Sequence, residues 1–391
     1  MKPTFPRVIA VRWITAAIIS LILLNPLPSP AAQEWETLPP ACDAAAKYLL
    51  GLVAVDARTE PDTRRIAPLI DFLQTSKPDG ARFHAGSGFD APSAFHQFTV
   101  HSTLKRIVDY TMSADIPSFF FWPSSLRLAE WKRIDGGDAQ FVRLRNAFTH
   151  LAAPFLLRGE EHLAITPDQH TGAYYSYDVD KVVLLAPFGK GKLMISVYRQ
   201  QKPSAVGRKG WVLGEDDDWN YLYTQDTGLN LKGLGWADTY MYDSFGISVY
   251  YQPDPAVEAV ICGAISWVRA GWAGINMVKP HHIHSGLVRV AEAFRDVMQN
   301  PRLPAPDQLA ATFSRSKKLS TPTLRRYGRE YLSGLKQRID ASKALREEVG
   351  TAFDSQALLN QMSRDELYAA LALDYLKKLL GRDPVMATHP F

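Results

Sequence analysis

From Arg145 the chain reads as β-strand for more than a hundred residues, and few folds absorb so much strand in one run. The segments "GAYYSYDVDKVVLL", "KLMISVYRQ", "WNYLYTQD", "FGISVYYQ" and "AVICGAISWVRA" are rich in aromatic and β-branched residues, alternate with period two, and are separated by turn residues. In the third, the alternation puts Trp219, Tyr221 and Tyr223 on one face and Asn220, Leu222 and Thr224 on the other. Phe188-Gly189-Lys190-Gly191 has the composition of a tight turn, so consecutive antiparallel pairing is expected. Helical sequence precedes and follows this block and does not alternate with it. That order predicts an α+β fold, not a parallel βαβ sheet.

Upstream, the charged start (Lys2, Arg7, Arg12) leads into the 12-residue apolar run Trp13–Leu24 and then a Pro-rich break. A bilayer span needs roughly 20 apolar residues, so this is read as an export signal, with cleavage expected after Ala31 and a periplasmic destination. An uncleaved N-terminal anchor is the alternative. Loss of residues 1–31 lowers the formal charge from +4 to +1, and no clustered Lys/Arg stripe remains, so nucleic acid is not an expected partner. Residues 32–94 form a predicted N-terminal helical region, with helices over Cys42–Val55 and Thr63–Leu73. Then "FHQFTVHSTLKRIVDYTM" reads as a short strand running into a helix, and "PSSLRLAEW" as a further helix opened by Pro123. Cys42 and Cys262 are a candidate disulfide, since an even count in an oxidising compartment favours pairing and so long a loop contributes about 5 kcal/mol in the simplest entropy model. Two buried thiols are the other reading.

Three histidines crowd "VKPHHIHSG", residues 278–286. With a helix starting at Pro280, where a missing amide costs nothing, Ile283, Leu287, Val290, Ala291, Phe294, Val297 and Met298 form one buried stripe. At about 100° per residue, His281, His282 and His284 then fall on three faces and cannot close on one ion. Continued as strand, His282 and His284 would share a face but lack a third ligand. Beyond "PRLPAP", residues 301–391 read as a charged C-terminal helical extension, closing with "SRDELYAALALDYLKKLLG". There Ser363 and Glu366 have capping-box spacing and Gly381 ends the helix. Leu367, Ala370, Leu371, Asp374, Tyr375 and Leu380 make a mostly apolar stripe that must pack on something.

The run Ser266–Asn276, then Pro280 and the helix to Met298, resembles the closing segment of START-like helix-grip (SRPBCC) proteins: a last long strand, a short connection, and a long helix laid across a curved antiparallel sheet. "FTVHSTLKRIVDYTM" resembles that superfamily's opening strand and helix, so the likeness spans residues 95–300. It implies an internal cavity for an apolar ligand. The strands offer Tyr175, Tyr177, Tyr198, Trp219, Tyr221, Tyr223, Tyr250 and Trp267 as lining, with Arg199 or Arg269 for a head group; the competing reading of each aromatic is plain core.

Glu215–Asp218 approaches calcium-loop spacing, but Tyr221 stands where glycine is required and Thr227 cannot close the loop, so a solvated turn is expected. Gly-x-Ser-x-Gly, His-Glu-x-x-His, Cys-x-x-Cys and the P-loop are absent from the sequence, and no cofactor is implied. The leading expectation is therefore an exported protein that binds a lipid or other hydrophobic small molecule without chemistry. The alternatives are an exported enzyme using the same cavity with His96, His101 or His162 as acid or base, and an envelope scaffold whose C-terminal helices engage a protein partner.

Overall fold

The strand-like block builds a large curved sheet in a mixed α+β architecture. The computed structural model describes residues 35–54, 60–76, 82–86, 89–169 and 171–391, so the export segment, its cleavage site and Val55 lie outside the described residues. In chain order the strands are β1 (Trp35–Thr37), β2 (Arg82–His84), β3 (Ser93–Val100), β4 (Leu126–Ile134), β5 (Phe155–Ile165), β6 (Ala173–Tyr174), β7 (Ser176–Phe188), β8 (Gly191–Gln200), β9 (Arg208–Val212), β10 (Tyr221–Thr227), β11 (Thr239–Gln252), β12 (Val260–Trp272) and β13 (Ile275–Asn276). The large sheet pairs them as β1-β2-β3-β12-β11-β8-β7-β5-β4, with β13 turned back on β12; β10-β9-β6 form a second, small sheet. Only β1 and β2 run parallel among the described pairs. The predicted turn joins β7 to β8, Phe188 opposite Gly191, with Gly189 at φ +58° as hairpin turns of this length require.

Helices cover both faces. On one side, α1 (Pro40–Ala54) and α2 (Ala67–Thr75) lay Leu49, Leu52 and Ile70 on Ile195, Val197, Ile247, Val249 and Ile265. On the other lie α3 (Leu104–Thr111), α4 (Ala139–Thr149), α5 (Pro280–Gln299), α6 (Pro306–Ser316), α7 (Thr321–Ala341), α8 (Lys343–Val349), α9 (Ser355–Gln361) and α10 (Arg364–Leu380). Leu324, Leu335, Leu371 and Leu376 of these last helices share one apolar cluster with Val183, Leu185, Met194 and Tyr250 of the sheet. The C-terminal extension therefore has no core separate from the sheet, and each such fully buried side chain contributes roughly 1.5–3 kcal/mol. Helix α10 starts with the expected capping box, Ser363 and Glu366 exchanging bonds of 2.8 and 3.2 Å, and ends at Gly381 with φ +75°.

Two sequence expectations are corrected here. "PSSLRLAEW" is not a helix: its last six residues open β4, because Leu126, Ala129, Glu130 and Trp131 pair with β5, a partner some 35 residues away that local periodicity does not reveal. Cys42 and Cys262 are free thiols, not a disulfide. They sit in different apolar clusters on opposite faces of the sheet, and Cys42 Sγ instead donates to the Pro68 carbonyl at 3.4 Å. Burial raises the Cys42 thiol to about 11, with Asp71 adding to the rise, and raises Cys262 further.

Candidate functional site

The two faces of the central strands are filled very differently. On the face toward α1 and α2, Ile195, Val197, Ile247, Val249 and Ile265 are at most 2% exposed. Their strand neighbours on the face toward α5, namely Ser196, Tyr198, Ser248, Ala264, Ser266 and His96, are only partly buried. These lie side by side in register: Ser196 opposite Ser248, Ser248 opposite Ala264, Ala264 opposite His96, and Tyr198 opposite Gly246. Ser196, Ser248, Ala264 and Ser266 are small where the other face carries isoleucine and valine, whereas Tyr198 and His96 are large. Helix α5 repeats the pattern along its length. Ile283, Ala291, Phe294, Val297 and Met298 of its inward stripe are buried, whereas Leu287 and Val290 on the same stripe are not. The middle of α5 and the strand positions facing it are therefore less fully covered than the opposite face of the sheet.

Toward the C-terminal end of α5 the packing is made by rings: Phe294 stacks on Trp122 at 5.6 Å and meets Tyr250 at 5.7 Å and Phe98 at 6.5 Å. The helix is tethered at Arg289, whose carbonyl accepts from Ser124 Oγ at 3.3 Å and whose guanidinium donates to Asp216 at 3.0 Å. The acidic turn at 215–218 thus has a structural partner, and Asp218 folds back to accept from the Glu215 amide at 3.2 Å. Hydroxyls mark the strand positions that face α5. Tyr198 Oη lies 3.4 Å from Ser244 Oγ, and burial raises the Tyr198 phenol above its ordinary value, so it is present as a neutral donor. Beside Tyr198 on the same face, Lys181 pairs with buried Glu161 at 2.6 Å and lies 5.1 Å from the Trp131 ring.

A void lies between β10 and the C-terminal helices, lined by Arg127, Tyr221, Tyr223, Tyr331, Leu335 and Leu373. At about 30 Å³ it holds on the order of two waters, too little for an organic ligand. Arg127 fills its polar side, 3.9 Å above the Tyr223 ring and 2.9 Å from Glu366.

Of the residues singled out from sequence, Tyr177, Tyr198 and Tyr250 lie on the α5 face of the sheet. Tyr175 is beside them, donating to Thr239 Oγ1 at 3.0 Å. Tyr221 and Tyr223 belong to the small sheet, and Trp219 is outside the strand with φ +52°, buried under Arg382 at 4.1 Å. Arg199, Trp267 and Arg269 are corrected: odd positions of β8 and β12 point to the opposite face, where Arg199 caps Phe245, Trp267 meets Phe89, and Arg269 is held by Asp243 at 2.6 Å. His282 accepts from the Lys279 amide at 3.2 Å at the start of α5, and His284 stands 5.5 Å from His96. Burial and nearby Arg82 hold the His284 imidazole below its ordinary range. His101 is exposed, and His162 bonds Asp178 at 2.6 Å on the face away from α5. Among the described residues, no group of three His, Cys, Asp or Glu side chains converges as metal ligands would.

The serine row Ser196, Ser248 and Ser266 escaped sequence analysis, as did Lys181 and Glu161. Their signal was present as serine and charge at every second strand position, the positions opposite the β-branched ones. Compared with family models, curated proteins and solved structures, the chain matches none.

Proposed function

We propose that the protein binds a small amphipathic molecule, a lipid or another hydrophobic compound with a polar head, in the hollow between the sheet and α5. The observation that carries this reading is the unequal filling of the two sheet faces described above. Tight packing is the norm in protein interiors, so small, partly buried residues facing a helix read as reserved space. Leu287, Val290, Phe98 and Trp122 offer apolar surface, and Ser196, Ser248, Ser266 and Tyr198 offer hydroxyls for the head. The order of the strands supports a START-like helix-grip reading: β3 lies next to β12, and α5 follows β12 and packs back on β3.

The competing readings find less support. The His162–Asp178 pair lies on the face away from α5, so of the histidines considered for acid or base chemistry only His96, beside His284, faces the proposed site. Among the described residues, no large apolar side chain of α6 to α10 stands exposed to serve as a scaffold's contact stripe. Export to the periplasm remains part of the proposal and rests on the sequence of residues 1–31.

The test is uptake of an environment-sensitive apolar dye by the wild type and by Ala264→Leu and Ser248→Leu, which fill the hollow from its floor. Folded variants that lose dye uptake support the reading. Variants that take up dye as the wild type does refute it.

A further inference from the structure

Among the described residues, six large apolar side chains stand exposed, and four of them gather at one tip of the molecule. Ile275 and Met277, 58% and 54% exposed, belong to the turn that joins β12 to α5. Leu231 and Trp236, 42% and 70% exposed, belong to the excursion between β10 and β11. The two segments meet where the Trp236 ring contacts Trp272 at 6.0 Å, and Trp272 is the pairing partner of Ile275. The Trp236 indole N–H donates to the Gly233 carbonyl at 3.2 Å, which fixes the ring outward on its own turn. Soluble surfaces scatter such residues singly, so four side by side mark a contact surface.

The chemistry around the tip selects among contact partners. Lys232 and Lys279 flank the apolar residues in sequence, and Lys209 Nζ reaches to 3.8 Å from where a Cβ on Gly235 would stand; Asp238 is the acidic residue nearest in sequence. Tryptophan with aliphatic side chains, ringed by lysine, is the composition that partitions into the headgroup region of an anionic bilayer. We propose that this tip docks on an anionic lipid surface, with Trp236, Ile275, Met277 and Leu231 entering the interface and Lys209, Lys232 and Lys279 meeting the headgroups. Among the described residues no helix is long and apolar enough to cross a membrane. This docking goes beyond the ligand reading, because it concerns the outer surface and does not require the hollow to be filled.

The experiment is flotation of the full chain with vesicles of phosphatidylcholine mixed with phosphatidylglycerol, and with phosphatidylcholine alone. Anionic vesicles should bind the protein more tightly, with binding falling as salt rises. Trp236→Ala combined with Ile275→Ser should weaken partitioning by about tenfold, Trp236→Phe should largely retain it, and Lys232→Gln should weaken it about fivefold. Brominated lipid should quench a fluorescence component that Trp236→Phe removes. The apolar run Trp13–Leu24 is common to all these chains, so the differences report on the tip. Ala264→Leu should bind vesicles as the wild type does, which separates this proposal from the fate of the hollow. Unchanged binding by the double variant overturns the proposal. So does a concentration-dependent dimer that the double variant abolishes without any effect on vesicles, since a second copy would then cover the tip.

Discussion

Asp374 and Lys377 lie at the joint between the C-terminal helices and the small sheet, each 1% exposed. Asp374 accepts from the amides of Val385 and Met386 at 2.7 and 2.9 Å and from His389 Nε2 at 2.9 Å, and it pairs with Lys377 at 3.2 Å. Lys377 donates in turn to Asn220 Oδ1 at 2.6 Å, 157 residues away in sequence. Asp374→Asn keeps the shape but leaves a buried ammonium without its counter-charge, and it turns an N–H toward one of two backbone donors. Removing one partner of a buried pair costs about 3–5 kcal/mol, out of roughly 5–15 kcal/mol for a whole fold. At a urea slope of about 3 kcal/mol/M, the unfolding midpoint should drop by about 1–2 M with the slope unchanged. Adding Lys377→Met removes the stranded charge and should recover about half the loss, a coupling that a double-mutant cycle reads directly. A single variant within about 0.5 kcal/mol of wild type, or strictly additive losses, would refute the reasoning.

The same carboxylate predicts an acid response. Burial pushes the Asp374 carboxyl up, but the bond from His389, the charge of Lys377 and the two backbone amides outweigh it and hold its pKa below the usual range. The stability it contributes is therefore present above the unfolded value near 4 and lost as pH falls through the lower folded one, so Asp374→Asn should flatten the pH dependence of unfolding below about pH 4. Gly246→Ala would place a Cβ against the Tyr198 ring; the ring must move toward α5, so stability should fall by about 1–3 kcal/mol and, if the proposed site is there, dye uptake should disappear, whereas retained uptake would mean that Tyr198 does not line it. Titration with a thiol reagent should find both cysteines unreactive in the native protein and both reactive in denaturant without reductant; a missing pair in denaturant would reinstate the disulfide.

Elements whose pattern is local were legible in the sequence. The inward stripe of α5, the 188–191 turn and the Ser363–Glu366 box each rest on residues within a few positions of one another, and the structure has all three. β4 was not legible, since Leu126 and Leu128 become strand only through a ladder to β5. The N-cap and first turn of α4 carry no capping side chain, and the helix went unread. For the site, aromatic positions drew attention because hydrophobic payload is visible in a sequence. Space is not, and the residues that define the hollow are the small ones between them. The clearest overlooked signal was Asp374 within an apolar stripe, since a carboxylate there demands buried partners.

Whether the space beneath α5 holds a ligand is read by native mass spectrometry of the full chain purified without detergent, with organic extraction of the same sample. A stoichiometric amphipathic adduct is expected on the wild type and absent from Ala264→Leu. An adduct equally present on both, or a wild type that carries none and takes up no apolar probe, would contradict that expectation.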